Sequence, residues 1–208
     1  MSAPAPTRGT ADAPLSAASW AALVVEAAEE CTDVLEAGAD GDWSRPAGDL
    51  DWSCHATLDH LALGLVGYAG LLTARPTDRY VALFASLDPA APVSARLEGI
   101  RIAAALLAAT VRGAGPGDRA WHPWGHSDGP GFAAMGVVET VVHTYDIARG
   151  LGLDWTPPDG LCAPALRRLF PDAPAGHPAG RTLLWCTGRD VLPGQPRRQE
   201  WQWDGSVR

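Results

Sequence analysis

The sequence predicts an all-α fold, an antiparallel four-helix bundle. Three observations carry that expectation. Four apolar stretches of about twenty residues repeat hydrophobic side chains at intervals of three and four. Pro- and Gly-rich loops separate them. Hydrophobic residues make up 47% of the chain and charged residues 19%, a balance that suits a packed globular bundle.

The first helix is expected over Leu15–Ala37, with Trp20, Leu23, Val24, Ala27, Cys31, Val34 and Leu35 on one face. Ser16 or Ser19 caps its start and Gly38 suits its end, while Glu26, Glu29, Glu30 and Asp33 read as a solvated face. The second is expected over Cys54–Thr73. Leu58, Leu61, Leu65, Ala69 and Leu72 form its core stripe, Ser53 is its cap, and Arg75-Pro76 is its stop. The third runs over Val93–Arg112, with Leu97, Ile100, Ala104, Leu107 and Val111 in register and a Gly/Pro run after it. The fourth, Pro130–Arg149, is apolar on nearly every side, so it belongs in the interior, with Gly150 and Gly152 to end it.

After Trp155 the pattern changes. Leu161–Phe170 suits a short helix, and Leu183–Thr187 with Glu200–Trp203 read as the strands of a β-hairpin. The bundle is thus expected over 15–155, with a C-terminal extension, 156–208, packed on it. Residues 1–14 lack an apolar core segment and read as a disordered leader, not a signal peptide. Five loop tryptophans (Trp43, Trp52, Trp121, Trp124, Trp155) read as caps on the core, with a pocket wall as the alternative.

Composition narrows the function classes. A formal charge of -8 argues against nucleic acid and anionic membrane surfaces as partners. Charged or His residues interrupt every apolar run, so no membrane span is expected. Cys31, Cys54, Cys162 and Cys186 form no CxxC pair, which suits reduced thiols in a cytoplasmic protein. Every basic residue is Arg, and Lys and Asn are absent, the mark of a GC-rich coding sequence. The expected partner is a small-molecule substrate, and the chain is expected to be a monomer or homodimer.

The chemistry concentrates in two segments. In GVVETVVHTYDIARGLG, Glu139 and His143 stand four apart on one face of the most apolar helix. A carboxylate and an imidazole there need a partner, because an unpaired buried charge is costly. A Glu–His hydrogen bond meets that need, and so does a metal ion. In WSCHATLDHLA, His60 lies just off the Leu stripe, with Gly64 and Gly67 leaving space on its own face. Taken alone, His60 is a satisfied core residue. Together with Glu139 and His143 it completes a three-ligand set with an open position, as a catalytic metal requires. Such donors suit zinc first, then nickel or iron.

Around them, Asp146 can accept a hydrogen bond from a ligand imidazole or form a plain salt bridge. His122, His126 and Asp128, in AWHPWGHSDGPG, are candidates to line the pocket mouth, with His126 or Asp128 as a proton-transfer group. Asp128 reads as the cap before Pro130. Arg101 is a candidate contact for an acidic substrate or thiol cofactor, with pairing to Glu98 as the simpler reading. No cysteine reads as a nucleophile.

These two segments together resemble the metal-binding domain of mycothiol-dependent maleylpyruvate isomerases and the wider DinB-like helical bundles. The resemblance spans roughly Leu15 to Trp155. It implies that the helix-two His and the Glu-x-x-x-His of the last bundle helix, here His60, Glu139 and His143, ligate a divalent metal, with Asp146 matching the Asp that follows. It also implies a cytoplasmic thiol-dependent transferase or isomerase that uses mycothiol or a similar thiol, in a high-GC bacterium. The isomerase carries a larger C-terminal domain than residues 156–208, so maleylpyruvate is not the expected substrate. Two other functions stay open: a thiol-independent metal-dependent hydrolase, lyase or isomerase of a biosynthetic pathway, and a non-catalytic metal-binding module.

Overall fold

A computed structural model describes residues 14–83 and 85–208. The expected leader falls, but for Pro14, outside the described residues. Six helices follow in order: α1 (Ala17–Glu36), α2 (Cys54–Ala74), α3 (Val93–Gly113), α4 (Gly129–Leu151), α5 (Asp159–Leu169) and α6 (Ala179–Cys186). The fold is all-α, and the first four helices form the bundle.

The local signals act as expected. The Ser16 hydroxyl accepts from the Ser19 amide and the Ser53 hydroxyl from the Ala56 amide, fixing the starts of α1 and α2. Asp128 caps α4 by accepting from Gly131, with Pro130 in the first turn. Gly152 ends α4 in the left-handed conformation at φ 75, which a residue without Cβ adopts freely.

α1 packs against both α3 and α4, and α2 does the same, which sets α1 and α2 on opposite sides of the α3/α4 pair. The stripes meet in one core: Val24, Leu58, Leu61, Leu65, Leu97, Ile100, Leu107 and Val137 are buried. α4 is buried over most of its circumference, as its composition demands. At Gly136 an added Cβ would lie 2.6 Å from Leu107 Cδ2, so a larger residue there would force the Leu107 side chain to shift. Buried Thr140 and Thr144 return their hydroxyls to the carbonyls of Gly136 and Thr140.

α5 packs on α4 and α6 on α5. The expected β-hairpin is not formed. Leu183–Cys186 lies in α6, and 200–203 is irregular chain; the described residues hold only isolated bridges. A short apolar run fits either state. Here Thr182, Leu183 and Cys186 recur at helical spacing and are buried, and the Thr182 and Thr187 hydroxyls bond carbonyls four residues back. The final segment is pinned instead by Asp204 N–H to the Leu169 carbonyl, Gly205 N–H to the Trp124 carbonyl, and Arg168 to the Ser206 carbonyl. These bonds hold Trp201 and Trp203 against Trp124.

A second correction concerns α2. Against expectation, it is long and apolar enough to cross a membrane by length and composition, because Asp59 is the only formal charge within it. Half of it is buried within the bundle, against α3 and α4.

Candidate metal centre

α2 supplies His60 and α4 supplies Glu139 and His143, and the packing of α2 on α4 brings them together. One donor atom from each lies within 4.8 Å of the others. Glu139 Oε2 is 3.1 Å from His143 Nε2 and 3.7 Å from His60 Nε2. The two imidazole rings meet edge to face at 5.2 Å.

Neighbouring groups orient each of the α4 donors. Tyr68, two turns beyond His60 on α2, donates its hydroxyl to Glu139 Oε1 at 3.3 Å, which leaves Oε2 toward the imidazoles. Asp146 Oδ2 lies 3.2 Å from His143 Nδ1, which leaves Nε2 for the centre. Arg189, from the chain after α6, closes on Asp146 with Nη2 at 3.0 Å and Nε at 3.3 Å, and its Nη1 donates to the Thr187 carbonyl. The Trp52 ring covers His60 at 4.8 Å.

The electrostatics follow from these contacts. Burial pushes the Glu139 carboxyl up, but the hydrogen bonds and charges of His143 and His60 outweigh it and hold it well below the usual carboxylate range. Burial likewise pushes the His143 imidazole down, but Asp146 and Glu139 on its two nitrogens outweigh it and raise it to about 9. The metal-free centre is therefore an ion-pair cluster, with the imidazolium of His143 between two carboxylates.

The centre floors a cavity of about 350 Å³. Asp51, Trp52, Arg189, Trp201 and Trp203 line it together with the triad. Of the five loop tryptophans only Trp52 walls this cavity. Trp43 is buried and donates to the Gly38 carbonyl, and Trp155 donates to Glu30, which is thus engaged and not simply solvated. Trp201 and Trp203 belong to the tail that was expected to be a strand.

The other candidate residues lie elsewhere. His126 is exposed and hydrogen-bonds the Thr77 carbonyl at 2.8 Å, so it does not reach the triad. The buried histidine of that loop is His122. Arg101 meets Asp33 on α1 at 3.3 Å instead of Glu98, and it lines neither the triad cavity nor any other described one. Asp128 caps α4 and pairs with Arg168. Sequence reasoning missed Tyr68, Arg189, Trp201 and Trp203, and it set His122 at the pocket mouth without giving it a role. Tyr68 was legible at eight residues from His60 on the same helix face. Arg189 carried no signal, because its reach to Asp146 depends on where the irregular tail lies.

A family model described as the mycothiol maleylpyruvate isomerase N-terminal domain matches residues 24–148. The chain belongs to this family. The match runs from within α1 to near the end of α4 and includes His60, Glu139 and His143. No curated protein and no solved structure matches the chain. Arg189, Trp201 and Trp203 lie outside the segment shared with the mycothiol maleylpyruvate isomerase N-terminal domains, so one wall of the cavity comes from the chain beyond it.

Proposed function

We propose that this chain is a divalent-metal-dependent enzyme that uses a small external thiol, of the mycothiol type, for a transfer or isomerisation on a small electrophilic molecule. The observation that carries this reading is the convergence of three donor atoms within 4.8 Å on the floor of an open cavity. Two imidazole nitrogens and a carboxylate oxygen form a donor set suited to zinc, and three protein ligands leave a position for an exogenous group.

His60, Glu139 and His143 hold the metal in this reading. Tyr68 and Asp146 fix which oxygen and which nitrogen face it, and Arg189 keeps Asp146 in place. When bound, the metal supplies a Lewis acid that lowers the pKa of a thiol and holds it as thiolate at neutral pH.

The protein supplies no sulfur nucleophile of its own. All four cysteines are buried. Burial raises the Cys54 thiol, pushes Cys31 and Cys162 to about 12 and Cys186 to about 11. A thiol-dependent reaction here therefore needs a low-molecular-weight thiol. The unpaired cysteines also favour a reducing, cytoplasmic setting.

Elemental analysis of the purified protein is the first test. About one divalent ion per chain is expected, lost in His60→Ala and Glu139→Ala. The second is consumption of an electrophile by the metal-loaded protein with a mycothiol-type thiol. A rate no higher than that of His143→Ala with every thiol tried would remove the enzyme reading.

A further inference from the structure

A second chamber, of about 300 Å³, adjoins the centre and shares His60 and Glu139 with the Trp-walled cavity. Its floor is α2 and its roof is formed by Tyr80, Val81 and Leu83. At Gly70 the roof rests on the helix, since an added Cβ would lie 3.0 Å from Leu83 and 3.3 Å from Val81. At Gly64 and Gly67, on the His60 face, an added Cβ would meet nothing within 4 Å. Glycine inside a helix costs about 1 kcal/mol relative to alanine, and no packing here requires it. The glycines instead keep open a space that runs to the metal ligands.

The far side of the chamber carries His122, 6% exposed. Its Nδ1 accepts from the Trp124 amide at 3.2 Å, so the proton of the neutral ring sits on Nε2. Burial holds the ring neutral, with its pKa lowered to about 4. With Nδ1 engaged, this Nε2–H is the ring's remaining donor. Tyr80 and Leu83, both more than two-fifths exposed, form the rim. None of the described lining residues is Lys or Arg, and the Glu139 carboxylate is present, so apart from the open position of the metal nothing there recognises an anion. The volume is about twice that of an engineered cavity that takes benzene.

Resting on the reading above, we propose that this chamber binds the electrophile, and that it selects an uncharged, largely apolar carbonyl compound of about one ring, whose oxygen accepts from His122 Nε2–H. The two cavities then divide the work: the Trp-walled one admits the thiol, and the α2 chamber brings the electrophile to the same open position from the other side of His60 and Glu139.

The test is binding to the zinc-loaded protein with its open position held by saturating 2-mercaptoethanol, read by ligand-observed NMR and calorimetry with three probes. Acetophenone carries the ring and the acceptor, ethylbenzene lacks the acceptor, and benzoate carries a charge. Acetophenone should bind at least tenfold more tightly than either of the others. His122→Phe should reduce it to the level of ethylbenzene. Gly67→Leu, which fills the chamber from a position with free space, should weaken both uncharged probes at least tenfold with zinc content unchanged. Acetophenone binding that Gly67→Leu leaves intact, or benzoate binding as the tightest of the three, would overturn the proposal. The readout is independent of turnover. Selective acetophenone binding without any thiol-dependent rate removes the thiol reading and supports the chamber. A thiol-dependent rate that Gly67→Leu leaves untouched, without acetophenone binding, does the reverse.

Discussion

Replacing Asp146 separates a group that orients a metal ligand from one that merely pairs with an arginine. Its carboxylate is 2% exposed and has two partners, His143 at 3.2 Å and Arg189 at 3.0 Å. Asp146→Ala removes both interactions. The Arg189 side chain, 11% exposed, is left without its partner carboxylate, and breaking a buried pair in this way costs about 3–5 kcal/mol of stability. At the same time His143 loses the acceptor that fixes its ring and directs Nε2 to the centre. Losing such a partner weakens metal affinity about 10–100-fold. Arg189→Met provides the separation, because it disrupts the pair but keeps the Asp146–His143 contact. The expected result is loss of stability in both variants and loss of zinc affinity in Asp146→Ala only. Thermal melts give the first quantity, and zinc competition against a chromophoric chelator gives the second. An Asp146→Ala protein that melts early yet binds zinc within about twofold of wild type would refute the orienting role.

Three further outcomes follow from the same structure. His143 is raised from its ordinary 6.5 to about 9, so in the metal-free protein its stabilising contribution is full below 6.5 and is lost as pH rises through about 9; metal-free melts should fall across that window, while apparent zinc affinity climbs about tenfold per pH unit as the competing proton leaves. The four cysteines should resist a thiol reagent such as Ellman's in the native protein and all react in guanidinium, since burial raises every one of them; rapid native labelling of any would contradict their placement. Gly64→Ala and Gly67→Ala should each stabilise the protein by about 1 kcal/mol, seen as a higher melting temperature, because the added methyl meets nothing within 4 Å and helix propensity improves; destabilisation would mean that the space is not open.

The bundle was legible because its signals are local. Stripes at three and four, Ser and Asp caps, and Gly or Pro stops each act within one helix, and α1 to α4 start within two residues of where those signals place them. The triad was legible for a related reason. His60, Glu139 and His143 are polar residues on apolar helices, so each needed a partner, and helical spacing already put two of them on one face. What was not legible depends on non-local geometry. Short apolar runs such as Leu183–Cys186 have no intrinsic preference that decides helix against strand, and packing on α5 decides it. His126 and His122 look equivalent in AWHPWGHSDGPG, and only the fold exposes the first and buries the second beside the α2 chamber. Arg101 had Glu98 in its own helix, yet the approach of α1 gave it Asp33.

The charges around the centre bear on what it binds. Without metal, the carboxylates of Glu139 and Asp146 face the His143 imidazolium and the Arg189 guanidinium, and the four charges balance. Ligand imidazoles carry no added proton, so a divalent ion takes the place of that proton and leaves one surplus positive charge beside the Arg189 guanidinium. Largely buried charge of this kind demands compensation. An anion at the open position supplies it, and a thiolate does so while presenting a nucleophile, whereas a neutral ligand leaves the excess in place. With zinc bound, Arg189→Met would remove the excess without touching a ligand. The preference of the loaded protein for anionic over neutral exogenous ligands should then shrink, most visibly at low ionic strength, in cobalt-substituted protein titrated with azide against imidazole. An unchanged preference would show that Arg189 acts only to hold Asp146.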